Sequence, residues 1–149
     1  MEAIIFAGVQ GAGKSTFYCR HFFRTHVRIN LDMLRTRRRE DMLLACCLQM
    51  GQRFVVDNTN RTVAERAKYI RAAREAHFRV IGYLFETDLE TCLRRNESRA
   101  PHERIPPKGI VGTYRRFERP TVDEGFDELF LVRTGDGGEA HVEALKAGQ

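Results

Sequence analysis

Continuous apolar runs alternate with amphipathic stretches along this chain. Ala3-Ile4-Ile5-Phe6-Ala7, Arg53-Phe54-Val55-Val56-Asp57 and Phe78 to Phe85 are strand-length segments with little polar alternation. Such runs suit strands buried on both faces, as in a parallel sheet. His26-Val27-Arg28-Ile29-Asn30 predicts a shorter strand, and Glu128 to Val132 the last one. Helical patterns fill the gaps: Lys14 to about Arg24, Asp32 to Met50, a helix to Ala76, another through about Arg99, and one ending near Phe117. Their punctuation agrees. Gly51 stops the second helix. Thr62 with Glu65, and Thr87 with Glu90, have capping-box spacing. Pro106-Pro107 suits a first helical turn. Strands alternating with helices predict an α/β fold: a parallel sheet with helices on both faces and ligand at the carboxyl ends of the strands. Ala100 to Ile105 reads as a polar, mobile stretch, and the glycine-rich tail from Thr134 as frayed. A length of 149 residues suits one domain, with no repeat or boundary inside it.

Composition narrows the class. Hydrophobic content of 42% and charged content of 30% describe an ordinary globular chain. No apolar run approaches a membrane span, and Met1-Glu2 leads straight into the first strand, so neither a membrane partner nor a signal peptide is expected. Cys19, Cys46, Cys47 and Cys92 show no C-x-x-C spacing and the five histidines no paired metal motif. Zinc is therefore not expected, and a reducing cytoplasm is the expected setting. A net charge of +5 favours polyanionic partners, although many enzymes that bind only ATP are basic too.

The chemistry begins at residues 8–15, Gly-Val-Gln-Gly-Ala-Gly-Lys-Ser, directly after the first apolar run. G-x-x-x-x-G-K-[ST] between a strand and a helix is the phosphate-binding P-loop pattern. Gly8, Gly11 and Gly13 allow positive φ, so that N–H groups along the loop, Ala12 included, point inward at phosphate oxygens. Lys14 is placed for the β- and γ-phosphates and the Ser15 hydroxyl for Mg²⁺, with Thr16 following in the helix whose positive end faces the ligand. A glycine-rich turn that binds nothing is the bland alternative, and Lys-Ser after the third glycine argues against it. A nucleoside triphosphate ligand is expected.

Two further constellations carry alternatives. Asp32 follows the second strand in Asn30-Leu31-Asp32-Met33-Leu34-Arg35. An acid there is placed to accept a proton from an attacking hydroxyl during phosphoryl transfer. It is equally placed to be a first-turn acid paired with Arg35. Arg95 and Arg99, four apart, form either a cationic clamp over the triphosphate or a solvated basic face. Arg37-Arg38-Arg39 lines an entry for a nucleic-acid strand or forms a solvated turn of helix, with Arg35, Arg38 and Arg39 able to share a face with Asp32. No Asn-Lys-x-Asp segment marks a switch GTPase.

The order GVQGAGKS, NLDMLR, VVDNTN, CLRRNESR, IPPKGIVGTYRRFERPT and VDEGFDELFLV resembles the kinase domain of the 5′-hydroxyl polynucleotide kinases, from Ala3 to about Val132. Those are the end-healing enzymes of bacteriophage and of the mammalian phosphatase–kinase repair protein. The resemblance implies a P-loop kinase that transfers the γ-phosphoryl of ATP to a 5′-hydroxyl end of DNA or RNA, with Mg²⁺. Lys14 and Ser15 then hold the donor phosphates and the metal, and Asp32 is the general base. Arg35 grips the phosphate of the acceptor nucleotide, and Arg95 and Arg99 are lid arginines over the donor. Asp57, Asn58 and Asn60 match the strand-end segment beneath the site, where either Asp57 orders a metal-bound water or the segment orients Arg35. Arg38 or Arg39 is the candidate second contact to the acceptor. No D-x-D-x-T/V phosphatase signature is present in the 149 residues. A small-molecule acceptor is the competing reading.

Overall fold

The computed structural model describes residues 1–148. Its strands are β1 (Glu2–Ala7), β2 (Val27–Ile29), β3 (Phe54–Val56), β4 (Arg79–Phe85), β5 (Glu128–Thr134) and β6 (Ala140–Leu145). Its helices are α1 (Lys14–His21), α2 (Leu31–Leu34), α3 (Arg37–Met50), α4 (Val63–Glu75), α5 (Leu89–Glu97) and α6 (Pro107–Arg116), with 3-10 turns at Pro101–Glu103 and Val122–Glu124. The sheet order is β2-β3-β1-β4-β5-β6. The first five strands run parallel, with Ile5 paired to both Val56 and Gly82 across the central ladder.

Both faces of β1 are buried, as its unbroken apolar run requires. Ala3 and Ile5 pack with Leu44 and Cys47 of α3 and Tyr69, Ile70 and Ala73 of α4. Ile4 and Phe6 face α1, where Phe6, Phe17, Phe22 and Phe85 build an aromatic cluster whose closest pair, Phe6 and Phe85, has ring centroids 4.8 Å apart. Val9, Cys92 and Ile110 form a smaller core beneath the P-loop.

The structure differs from the sequence reading at several boundaries, among them α1, which stops at His21 rather than near Arg24. The segment from Thr134 is not frayed. It closes an antiparallel hairpin, β6 pairing with β5 from Thr134↔Ala140 to Leu129↔Leu145, so the sheet is mostly rather than wholly parallel. The glycines that suggested fraying make the turn, in which Gly138 at φ 84 donates to Gly135 O. The helix expected over Asp32 to Met50 breaks at Arg35-Thr36. Asn30 caps α2 by accepting from Met33 N, and the Thr36 hydroxyl accepts from Arg39 N to open α3. Arg35 sits between them at φ 78. Asp88, not Thr87, caps α5 by accepting from Thr91 N, and that helix stops at Glu97, short of Arg99. The stretch after it is held: Asn96 Nδ2 donates to Ile105 O at 2.7 Å and its Oδ1 accepts from Ile105 N at 3.0 Å.

Candidate active site

Parallel strands place their carboxyl ends at one rim, where an open groove of about 1920 Å³ runs from the P-loop to α4. That is well above the roughly 300–1,000 Å³ of a single small-ligand site. Its donor end is the loop between β1 and α1. Gly11 and Gly13 hold φ of 87° and 98°, as the sequence requires. Gly8 does not. Its side-chain-free Cα is needed because a Cβ there would meet Phe85. Gly8 N donates to Thr59 O, which ties the loop to the β3 strand end. Ala12 is buried, and its carbonyl accepts from the Thr134 hydroxyl at 3.0 Å.

Lys14 folds back on the loop, its Nζ donating to Gly8 O at 2.7 Å and Val9 O at 3.0 Å. Burial pushes this ammonium down to about 8, against the opposing pull of the Asp57 carboxylate. Ser15 Oγ lies 3.3 Å from Asp57 Oδ2, and Thr16 lines the groove beside it. Asp57 is 2% exposed and has a second donor that sequence reasoning did not find: Arg28 Nε at 2.8 Å. Arg28 Nη2 also donates to Ser15 Oγ at 3.1 Å. Among the described residues, the arginine that this carboxylate holds is Arg28 rather than Arg35.

Arg95 is anchored. Its guanidinium donates to Gly11 O at 2.9 Å, to Thr134 O at 2.8 Å and to Asp136 Oδ1 at 3.2 Å. It clamps the P-loop to the β5–β6 turn, while Arg94 completes a second ion pair with Asp136. Arg99, past the helix end, lines the same groove, and its side chain has no hydrogen-bond acceptor among the described residues. The two arginines therefore meet at one cavity without sharing a helix face.

The far end is built on α2. Asp32 and Arg35 are exposed and line the groove, with no ion pair between them among the described residues. Their helix is positioned from beneath, since Asn58 Oδ1 accepts from Leu31 N at 2.9 Å and Asn30 Nδ2 donates to Asp57 O. Asn60 is 3% exposed, at φ 45, and its amide donates to Phe6 O at 2.7 Å, so it props the β1 end rather than presenting a donor to ligand. The break at Arg35-Thr36 also resets the phase of α3. Arg37 enters the groove wall, whereas Arg38 and Arg39 fall outside it.

A buried carboxylate holds this end together. Glu40 has no exposed surface and accepts from Tyr69 Oη at 2.6 Å, Asn58 Nδ2 at 3.0 Å and Arg37 Nη1 at 3.0 Å. Burial pushes its carboxyl up, but the donors prevail and hold it below the ordinary range. A lowered folded value confers stability above the unfolded carboxylate range that is lost as pH falls through the folded value. Tyr69→Phe removes one donor, and we expect it to cost about 1–3 kcal/mol of stability. Acid unfolding should begin at higher pH, both read from urea midpoints across pH. An unchanged midpoint would show that Tyr69 contributes nothing to the Glu40 charge.

Comparison with known proteins agrees with this architecture. Residues 4–120 match the family model described as an AAA domain. The chain is 27% identical over 132 residues to a bifunctional polynucleotide phosphatase/kinase of Schizosaccharomyces pombe, covering 86% of this chain and 32% of that protein. It is 29% identical over 138 residues to a protein of like description from Acanthamoeba polyphaga mimivirus, covering 88% and 33%. The chain thus spans about a third of the length of the curated relatives it matches. In fold it is similar to a gluconokinase from Sinorhizobium meliloti 1021, with a TM-score of 0.59 at 16% identity, covering 87% of this chain and 82% of that one. No described helix is long and apolar enough to cross a membrane. With the strand–P-loop–helix unit at its donor end and a family match across most of its length, the chain belongs to the AAA-domain family of P-loop proteins.

Proposed function

We propose that this chain is an ATP-dependent 5′-hydroxyl polynucleotide kinase acting on DNA or RNA ends, with the cytoplasm as its setting. One observation carries the reading: the groove joins the P-loop to an exposed acid on α2 and the exposed arginine that ends it, neither in an ion pair among the described residues, leaving room for two ligands end to end. The polynucleotide phosphatase/kinase relatives support the acceptor class.

In this reading Lys14 leaves Gly8 O and Val9 O for the β- and γ-phosphates. Asp32 accepts the proton of the acceptor 5′-hydroxyl as its oxygen bonds to the γ-phosphorus and the bond to the ADP oxygen breaks. Arg99 faces the transferring group, and Arg35 holds the acceptor's phosphate. Ser15 Oγ and the Asp57 carboxylate are hard oxygens 3.3 Å apart, a donor pair that fits Mg²⁺. When bound there, the ion neutralises charge on the donor phosphates.

The test is transfer of labelled γ-phosphate from ATP to 5′-hydroxyl oligonucleotides of DNA and RNA, with and without Mg²⁺. Likeness of fold to a gluconokinase favours the second reading, a small alcohol acceptor. Arg35 separates the two. For single strands each phosphate contact contributes about −0.7 to the log–log dependence of affinity on salt. Arg35→Ala should make that slope shallower by about one contact and weaken DNA and RNA alike, because phosphate contacts position without reading sequence. A nucleoside 3′-monophosphate should be a far better acceptor than the bare nucleoside. Equal phosphorylation of the two would favour the small-molecule reading.

A further inference from the structure

Arg28 sits on the edge strand β2, in register with Val55, and its guanidinium reaches across to the first turn of α1. It bonds Asp57 Oδ2 and Ser15 Oγ together, and its Cζ stands 6.0 Å from the centre of the Tyr18 ring. The Ser15 hydroxyl closes the triangle by donating to the same Asp57 oxygen. A carboxylate as buried as Asp57 needs a counter-charge. Here a side chain supplies it, through the two oxygens that suit a divalent ion.

The distances place the two cations in conflict. Magnesium binds oxygen at about 2.0–2.1 Å, so an ion on Ser15 Oγ would lie within about 5 Å of Arg28 Nη2. At that separation, beside a carboxylate whose side chain is only 1% exposed, like charges oppose each other. The guanidinium also lines the groove beside the P-loop, where it adds positive charge for a triphosphate.

We propose that Arg28 is the resident cation of the Ser15–Asp57 pair. It supplies charge that a nucleoside triphosphate otherwise draws from a divalent ion, and so sets how strongly donor binding depends on that ion. This rests on the donor half of the reading above and is independent of the acceptor.

The experiment measures dissociation constants of a fluorescent N-methylanthraniloyl ATP, in excess EDTA and in Mg²⁺, for the wild type, Arg28→Gln and Arg28→Lys. Hydrogen bonds to charged groups are worth about tenfold or more in a binding constant. In the wild type the EDTA-to-Mg²⁺ ratio should therefore stay below about tenfold, and Arg28→Gln should raise it by about tenfold or more. Arg28→Lys keeps the charge and should stay near the wild type. A ratio unchanged in Arg28→Gln overturns the proposal and leaves Arg28 as a structural partner of Asp57. A wild-type ratio well above tenfold overturns it as well, and decides the matter even if a thermal melt shows that Arg28→Gln does not fold. Absence of binding in both buffers defeats the donor-site reading along with it. Failure of oligonucleotides to accept phosphate, with the ratios as expected, defeats only the acceptor reading.

Discussion

Asp32→Asn is expected to lower phosphoryl transfer by about 10²–10⁴ while leaving ATP affinity unchanged. Asparagine keeps the shape of the side chain and can donate or accept a hydrogen bond, but it cannot take the acceptor's proton. The carboxylate is exposed to the groove and has no ion pair among the described residues, so its loss leaves no buried partner stranded. Single-turnover transfer of labelled γ-phosphate, beside nucleotide titration, separates the two effects. Substantial activity in the Asn variant would return Asp32 to the role of a first-turn acid on α2.

Arg99→Ala should reduce turnover by about 10²–10³, the scale for losing one preorganised charge donor to the transition state. Its guanidinium has no acceptor within the protein among the described residues and is available to a ligand at little internal cost. Arg95→Ala should behave differently. That side chain bonds the P-loop carbonyl of Gly11 and the β5–β6 turn, so its loss should weaken nucleotide binding and lower thermal stability together. If Arg99→Ala leaves turnover intact, the cationic clamp over the donor is not Arg99.

Local pattern made much of this molecule readable. The apolar runs at Ala3, Phe54 and Val80 are strands because they are buried on both sides, and burial on both sides removes the polar alternation. The P-loop reads from adjacent residues, and Asp32 and Arg35 follow at fixed offsets from a strand end. The last strand escaped notice because β6 is mostly exposed and owes its place to main-chain pairing with β5. The helix break is not legible because the positive φ of Arg35 and the hydroxyl cap of Thr36 leave the apolar spacing unmarked. Arg28 and Glu40 act through partners 29 residues away, and Thr134 through one 122 away. No periodicity encodes such pairings; packing alone brings them together.

The clamp on the P-loop also orders the molecule in time. Thr134, which receives Arg95 and bonds Ala12 O, is the last residue of β5, and a side chain at Gly13 would collide with it. During synthesis from the amino end, β1 to β4 can pair before that residue has emerged, whereas the donor loop cannot be seated against it. Contacts of such long sequence separation form late and carry the largest loop-closure cost. The emerging chain is therefore expected to acquire its central strands first and the clamp on its phosphate-binding loop near the end, when the hairpin turn closes over a loop made more than a hundred residues earlier.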